Sequence, residues 1–473
     1  MAFLTEAANR GSISTGYDIN NSLKFEADNT EHLSFANSVG ENRRTWTYST
    51  WVKKTELFGA GSVGGTLFGA YLSSNDRARI EQYGDELGLH GKISGTTAVN
   101  VRTTRILRDT SAWYHCMVVL DTTQATETDR VKIYVNGVQE TSMVSTTYPP
   151  QNYQFAINNA VNHFVGQKGD GTDYFCGYMA ETYFIDGQAL TPTSFGEFDE
   201  DSNIWKPKEF SGTYPSADTN HFYLNFDDSS NLGKDSSGNG KNMTSNNIAA
   251  ADQATDSPTN NFATYNALLT YNSNGKLIEG ATKFYNGSGG ADTSLSTMAV
   301  ANGKWYAEFK TPSNVAGGNA MFGVAANSGD SMAGRFLGQD AWSVGLLTDG
   351  NYRINNSATS YLGSTWNNTE ILSVALDMDN KKVYFAKNGT WGNSGNPANG
   401  TNGIALPSAY EDYEWFIGVS LVNYTDTFYA SYGGYTIISI STAATDENGY
   451  GTFEYAPPTG YYALCTKNLA EYG

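Results

Sequence analysis

The sequence predicts an all-β protein made of two β-sandwich (jelly-roll) domains, and three observations carry that prediction. Tyr, Phe and Trp make up 13% of the chain, and 50 glycines against 11 prolines suit short strands joined by tight turns. Apolar and polar residues alternate with period 2 along most of the chain. Asn-Gly pairs stand where two such runs meet, as type I′ hairpin turns require. A chain of 473 residues is long enough for about two to four domains with cores of their own.

The elements follow in order. Residues 1–21 lack alternation and are expected as an N-terminal arm, hinged at Gly11, that docks on another protein. Residues 22–200 carry a first sandwich, with strands at "TWTYSTWVKK", "WYHCMVVLD" and "RVKIYVNGVQ". Val131, Ile133 and Val135 share one face of the last run, and Asn136-Gly137 supplies its turn. Trp51, Val118, Ile133 and Val135 are the expected inward residues. Residues 201–299 break the pattern, first at "DEDSNIWKPKEFSGTYP" and again over 227–261. They are expected as an irregular connector with one returning strand. Residues 300–473 carry the second sandwich, through "KWYAEFK", "ILSVALDMD", "KKVYFAKNGTW" and "EWFIGVSLV". Here Trp305, Leu376, Val383 and Phe385 are expected inside, with a turn at Asn388-Gly389. Helical periodicity is nearly absent, and 191–198 is at most one capped turn.

Charge narrows the partners. A net charge of −19 argues against nucleic acid and anionic lipid, which need clustered Lys and Arg. The basic residues are scattered along the chain, and Arg43-Arg44 and Lys381-Lys382 are their densest pairs. Cys116, Cys176 and Cys465 lie in apolar runs without paired spacing and read as buried thiols. No apolar run reaches the ~18 residues that span a bilayer, so no membrane insertion is expected. The first residues lack a basic region followed by an apolar core, and the chain is expected to fold in a cytoplasm.

Several residue groups could carry chemistry. "FDDSSNLGKDSSGNGKNMT", residues 226–244, resembles a calcium loop. An EF-hand frame opened at Asp227 fails at its glycine. A frame opened at Asp235 keeps Asn239 and Gly240 but lacks the closing acid. Asp227, Asp228, Asp235 and Asn239 are therefore the metal candidates, and a structural turn is the favoured reading. No cofactor is expected, calcium being the one candidate. In "GEFDED" the acids Glu197, Asp199 and Asp201 alternate as a glycosidase pair would, yet a charged Glu200 sits between them, and a solvated acidic turn is favoured. The five histidines are dispersed, and no nucleophile elbow or phosphate loop is present. No enzymatic activity is expected. Sugar sites need aromatic faces and a few amides or carboxylates on loops. The candidates are Tyr71, Asp76 and Tyr83 in the first half, and Tyr361, Trp366, Asn388 and Trp391 in the second.

Residues 22–200 resemble laminin-G-like, concanavalin-A-like jelly rolls. The resemblance is carried by "SLKFEADNTEHLSF", "RTWTYSTWVKK", "WYHCMVVLD", "VKIYVNGVQ" and "FVGQKGDGTDYFCGYMAETYFIDGQAL". Residues 300–466 resemble a SPRY-type sandwich through "GKWYAEFK", "NAMFGVA", "ILSVALDMDNKKVYFAKNGTW", "WFIGVSLV" and "FEYAPPTGYYALCTKNL". Together with "FYLNFDDSSNLGKDSSGNG" and "DSPTNNFATYNAL" this order is similar to virion proteins of tailed bacteriophages, marine ones in particular. The resemblance implies a particle component. The function expected from it is a fibre or adhesin subunit on the virion surface that presents lectin-like domains to host glycans. A capsid or tail decoration protein is the alternative, and a polysaccharide depolymerase comes third. Other virion proteins are the expected partners. A homotrimer is expected too, with surplus aromatics such as Trp205, Tyr214 and Phe262 at subunit contacts.

Overall fold

A computed structural model describes residues 16–473 except 38, 60–61, 217–218, 271–274, 288–289, 314–319 and 423–425. Among these the chain divides after Thr259 into two compact units. Most of the expected N-terminal arm lies outside the described residues, Gly11 included.

The first unit packs two sheets face to face. One runs in the order Val138–Gln139, Val131–Val135, Trp113–Asp121, Thr45–Lys54, Gly177–Asp186, Ser22–Phe25, Gln253–Ala254, with Phe222–Leu224 also paired to Gly177–Asp186. The other runs Met143–Thr147, Thr96–Ile106, Glu86–Ile93, Asp76–Tyr83, Val63–Ser73, Asn162–Val165, His32–Ala36, Thr244–Asn246. Every pairing among these strands is antiparallel. Tyr48 of the first sheet stacks on Phe68 of the second, their rings 5.3 Å apart and 3° from parallel. Val118, Ile133 and Val135 are buried in this core as expected. Trp51 is buried too, but not between the sheets. Trp46, Tyr48 and Val52 point inward, and Trp51 packs beside His115, 5.1 Å between rings. On Trp51's side of Thr45–Lys54 stand Thr45, Thr47, Ser49 and Lys53, so the alternation itself marks the side of Trp46, Tyr48 and Val52 as inward.

Both faces are buried because both are covered. All ten residues of Gly177–Asp186 are buried. Met179 and Phe184 face the sandwich, whereas Tyr183 and Ile185 join Met117, Val119 and Phe195 in a second, smaller core, with Leu190, Phe210 and Tyr214 against it. The segment that breaks the alternation after 190 is the lid of that core.

The expected connector at 201–299 is thus not a separate element. Its first part supplies Phe222–Leu224, Thr244–Asn246 and Gln253–Ala254 to the first unit. Buried ion pairs fix it there: Lys24 Nζ lies 2.8 Å from both Glu31 and Asp252, and Lys53 Nζ lies 2.6 Å from Asp256. Trp113 Nε1 donates to the other oxygen of Asp256 at 3.0 Å. These strands are only two or three residues long, too short for alternation to reveal them.

The second unit, Asn260–Gly473, is also a sandwich. One sheet runs Tyr265–Thr270, Asp292–Val300, Trp415–Leu421, Ala320–Ala326, Ser343–Leu347, Asn351–Ile354, Ser357–Ser360. The other runs Gly275–Ile278, Lys283–Asn286, Thr427–Ser431, Lys304–Lys310, Leu372–Asp377, Lys382–Lys387, Thr390–Trp391. Ile404–Ala405 adds to Lys382–Lys387, Tyr462–Ala463 lies parallel to Lys304–Lys310, and a short helix, Thr466–Tyr472, ends the chain. Phe322 meets Phe385 and Phe309 across the core at 5.3 and 6.0 Å. Trp305, Leu376, Val383 and Phe385 are fully buried, as expected.

A satellite core covers this unit as well, formed by Phe262, Tyr306, Tyr384, Phe453 and Tyr461. The aromatics assigned to subunit contacts are therefore spent inside the fold. Phe262 belongs to this cluster, Trp205 stacks on His115 at 5.8 Å, and Tyr214 packs on Phe210 at 4.9 Å. The surplus of rings that suggested a trimer is used to cover outer sheet faces.

Candidate functional site

In the first unit, Asp76–Tyr83, Glu86–Ile93 and Thr96–Ile106 form consecutive hairpins in the second sheet. Ala78, Ile80, Leu87, Leu89, Val99 and Val101 fill the core. Strand alternation then turns Arg77, Arg79, Glu81, Tyr83, His90, Lys92, Asn100 and Arg102 to the outer face. Register assembles them into rows. One row reads Asn162, Tyr71, Arg77, Lys92, Thr97, and the next reads Phe164, Gly69, Arg79, His90, Asn100. Basic residues that are scattered in the sequence become neighbours.

Some of these cations are neutralised. Arg79 Nε pairs with Glu81 and its Nη1 lies 3.2 Å from Asp173, which also takes Lys168 at 2.9 Å. Arg102 pairs with Glu86 at 2.9 Å and stacks 4.2 Å from the centre of the Tyr83 ring. The loop over 166–174 edges the face: a β-carbon on Gly169, whose φ is +106°, would lie 2.5 Å from Tyr71 Cβ. His90 is pushed down to about 4, first by burial and then by Arg79, Arg77, Lys92 and Arg102. It is therefore a neutral ring at neutral pH. His90 Nδ1, Asn100 Oδ1 and Arg77 Nε are shielded from water and have no hydrogen-bond partner.

The first-half candidates sort out against this face. Tyr71 lies on it, half-buried, directly opposite Arg77. Tyr83 lies on it with one ring face taken by Arg102. Asp76 closes a hairpin instead, accepting from Ser94 N–H at 3.0 Å. The basic and amide residues were missed. The signal for them was polar residues at every second position of "DRARIEQY", "ELGLHGKI" and "TTAVNVRTTRI", three runs joined by turns short enough to pair them in register.

The second-half candidates do not form one site. Tyr361 and Trp366 are core side chains, 4% and 2% exposed, and Trp366 donates its indole N–H to Leu347 O at 2.7 Å. Asn388 holds its turn through a left-handed φ of 49° and accepts from Ile371 N–H. Trp391 packs edge-on against Tyr384. Loop-like flanks suggested exposure, but these loops fold back over the sheet. Trp366 does border a cleft of about 520 Å³ with Thr348, Asp349, Arg353 and Asn367.

The acidic run at 226–244 is a turn. Asp235 Oδ1 accepts from the N–H of Tyr223 and of Ser237, both at 2.9 Å, and Oδ2 accepts from Lys241 N–H at 2.9 Å. Asp228 serves Ser230 and Lys234, Asp227 is exposed, and Asn239 donates to Thr219 O and His221 O. Among the described residues no three His, Cys, Asp or Glu side chains converge as metal ligands, and both oxygens of Asp235 are engaged by backbone N–H groups. Glu197 and Asp199 both reach Lys206, at 3.7 and 3.1 Å, a surface ion cluster on Gly196–Phe198.

Comparison with known proteins adds the following. Residues 27–194 match the family described as the concanavalin A-like lectin/glucanases superfamily (Laminin_G_3). No curated protein matches the chain. Among solved structures it is similar to the SPRY domain of human HERC1, at 15% identity and a TM-score of 0.29, over 35% of this chain and 96% of that one. It is also similar to a putative carbohydrate binding protein from Bacteroides ovatus ATCC 8483, at 19% identity and a TM-score of 0.32, over 49% and 59% of the two chains. A third likeness is domain 4 of AbnA, a GH43 extracellular arabinanase from Geobacillus stearothermophilus, in complex with arabinotriose. It stands at 20% identity and a TM-score of 0.26, over 34% of this chain and 69% of that one. Likenesses at this level fix neither ligand nor partner.

Proposed function

We propose that the chain is a glycan-binding protein whose first unit takes sugar on the outer face of its second sheet. One observation carries this reading. That face sets the half-buried Tyr71 in register with a row of polar side chains, Arg77, Lys92 and Thr97. Aromatic rings pack on the C–H faces of sugars, and amides, guanidinium groups and imidazoles meet their hydroxyls. The match of residues 27–194 to a lectin and glucanase superfamily supports the same class. The alternating acids Glu197 and Asp199 are held by Lys206, and binding without turnover is the reading. Its setting as a fibre or adhesin subunit of a phage particle rests on the resemblance of the domain order to tailed-phage virion proteins. A glycan array probed with the whole chain tests the function. Retention on a restricted set of sugars is expected, and a folded chain retained by none contradicts it.

A further inference from the structure

We propose that the outer face formed by Asp76–Tyr83, Glu86–Ile93 and Thr96–Ile106 selects acidic sugars, Arg77 and Lys92 holding a carboxylate or sulfate while the Tyr71 ring lies against the sugar's carbon face. The proposal rests on the glycan-binding reading and adds the charge class of the ligand.

Arg77 and Lys92 stand directly opposite each other on neighbouring strands. Like charges in that relation repel and destabilise a sheet. The chain holds 48 acidic against 29 basic residues, and nearby cations have found acids: Arg79 has Glu81 and Asp173, Arg102 has Glu86, and Lys168 has Asp170 and Asp173. Among the described residues no carboxylate pairs with Arg77 or Lys92. Arg77 gives one N–H to Ser74 O. An anion between the two would relieve their repulsion and accept short, charge-assisted hydrogen bonds.

The surroundings fit a sugar bearing that anion. Tyr71 adjoins Arg77 on the side away from Lys92, and Thr97 adjoins Lys92 on its far side. His90 and Asn100 stand one row along, next to Arg79. His90 Nδ1, Asn100 Oδ1 and Arg77 Nε lack a partner but are screened from water, so contact with the anion falls to the Lys92 ammonium and the outer N–H groups of Arg77. Four cations surround His90 in a chain that carries −19. Only two of those cations are unpaired, which suits one anionic group. A polyanion would meet the repulsion of the whole chain.

Isothermal titration of the whole chain tests this with five ligands: a disaccharide bearing a single galacturonate, its neutral methyl ester, a monosulfated disaccharide, inorganic sulfate and a single-stranded oligonucleotide. The galacturonate disaccharide or the sulfated disaccharide should bind, and the comparison of the two tells carboxylate from sulfate. The methyl ester and inorganic sulfate should bind on the order of tenfold more weakly, as the loss of one charge-assisted contact implies. Arg77→Gln and Lys92→Gln should each weaken the acidic sugar by a similar factor. The Lys92 side chain makes no hydrogen bond or ion pair among the described residues, so its variant keeps the fold if Arg77→Gln does not. Equal binding of acid and ester, or an affinity untouched by both substitutions, overturns the charge assignment and leaves glycan binding standing. Inorganic sulfate or a single-stranded oligonucleotide bound as tightly as the sugar acid overturns the sugar. Binding of no sugar, acidic or neutral, here and on the array, removes the glycan reading itself.

Discussion

Lys53 and Asp256 lie 203 positions apart and meet at 2.6 Å with both side chains buried. Burial alone pulls the Lys53 ammonium below its usual range, and Asp256 opposes that pull. Removing one partner of such a pair leaves the other charged and unsolvated. Asp256→Ala should therefore cost about 3–5 kcal/mol, read from urea unfolding of the whole chain. His163 makes a pH-dependent counterpart. Its Nδ1 donates to Val161 O and its Nε2 accepts from Asn158 N–H, each at 2.9 Å, so the buried ring is neutral. Burial lowers it from 6.5 to about 4. The unfolded chain takes up this proton below about 6.5 and the folded one does not until about 4. The stability this residue supplies is full above pH 6.5 and is lost as pH falls through that window. Proton NMR of the His163 ring should show no titration between pH 8 and pH 5. A midpoint near 6.5 would mean that the ring is solvated.

At the scale of elements, the lid over 190–223 decides how far the sequence could be read. Alternation located the long strands well, because Val131, Ile133 and Val135 place one face on a core and Lys132 and Tyr134 on the other. It marks the side opposite Trp51 as inward, and Trp51 is buried all the same because its strand is buried at nine of its ten positions. It failed for strands of two or three residues such as Gln253–Ala254, whose place is set by Asp252 and Asp256 meeting distant lysines. Of the proposed site, Tyr71 and Tyr83 are candidates the sequence offers, whereas Arg77 and Lys92 are 15 residues apart and become neighbours only through register. The lid itself is testable. Phe195 is 3% exposed and packs on Tyr183 at 5.2 Å and on Phe210 at 5.1 Å. Phe195→Ala should cost about 3–5 kcal/mol and leave the sedimentation mass of the chain unchanged. A changed mass would place this ring at a subunit contact.

For the whole molecule the boundary after Thr259 has a direct consequence. A fragment ending at Thr259 keeps the acids that pair with Lys24 and Lys53, and should unfold cooperatively in urea. One ending at Glu200 loses Phe222–Leu224, Thr244–Asn246 and Gln253–Ala254 together with Asp252 and Asp256, and should fail to fold. A folded shorter fragment would restore the segment after 200 to the role of connector. The central claim is that sugar is held on the outer sheet face beside Tyr71. The measurement that meets it most directly is retention on a glycan array of the wild-type chain beside Tyr71→Ala, with thermal midpoints compared. Tyr71 is half-buried at the edge of that face, so the variant should keep its midpoint within a few degrees while retention on the sugars bound by the wild type falls about tenfold. Undiminished retention by a folded Tyr71→Ala chain would place the sugar elsewhere and contradict the account.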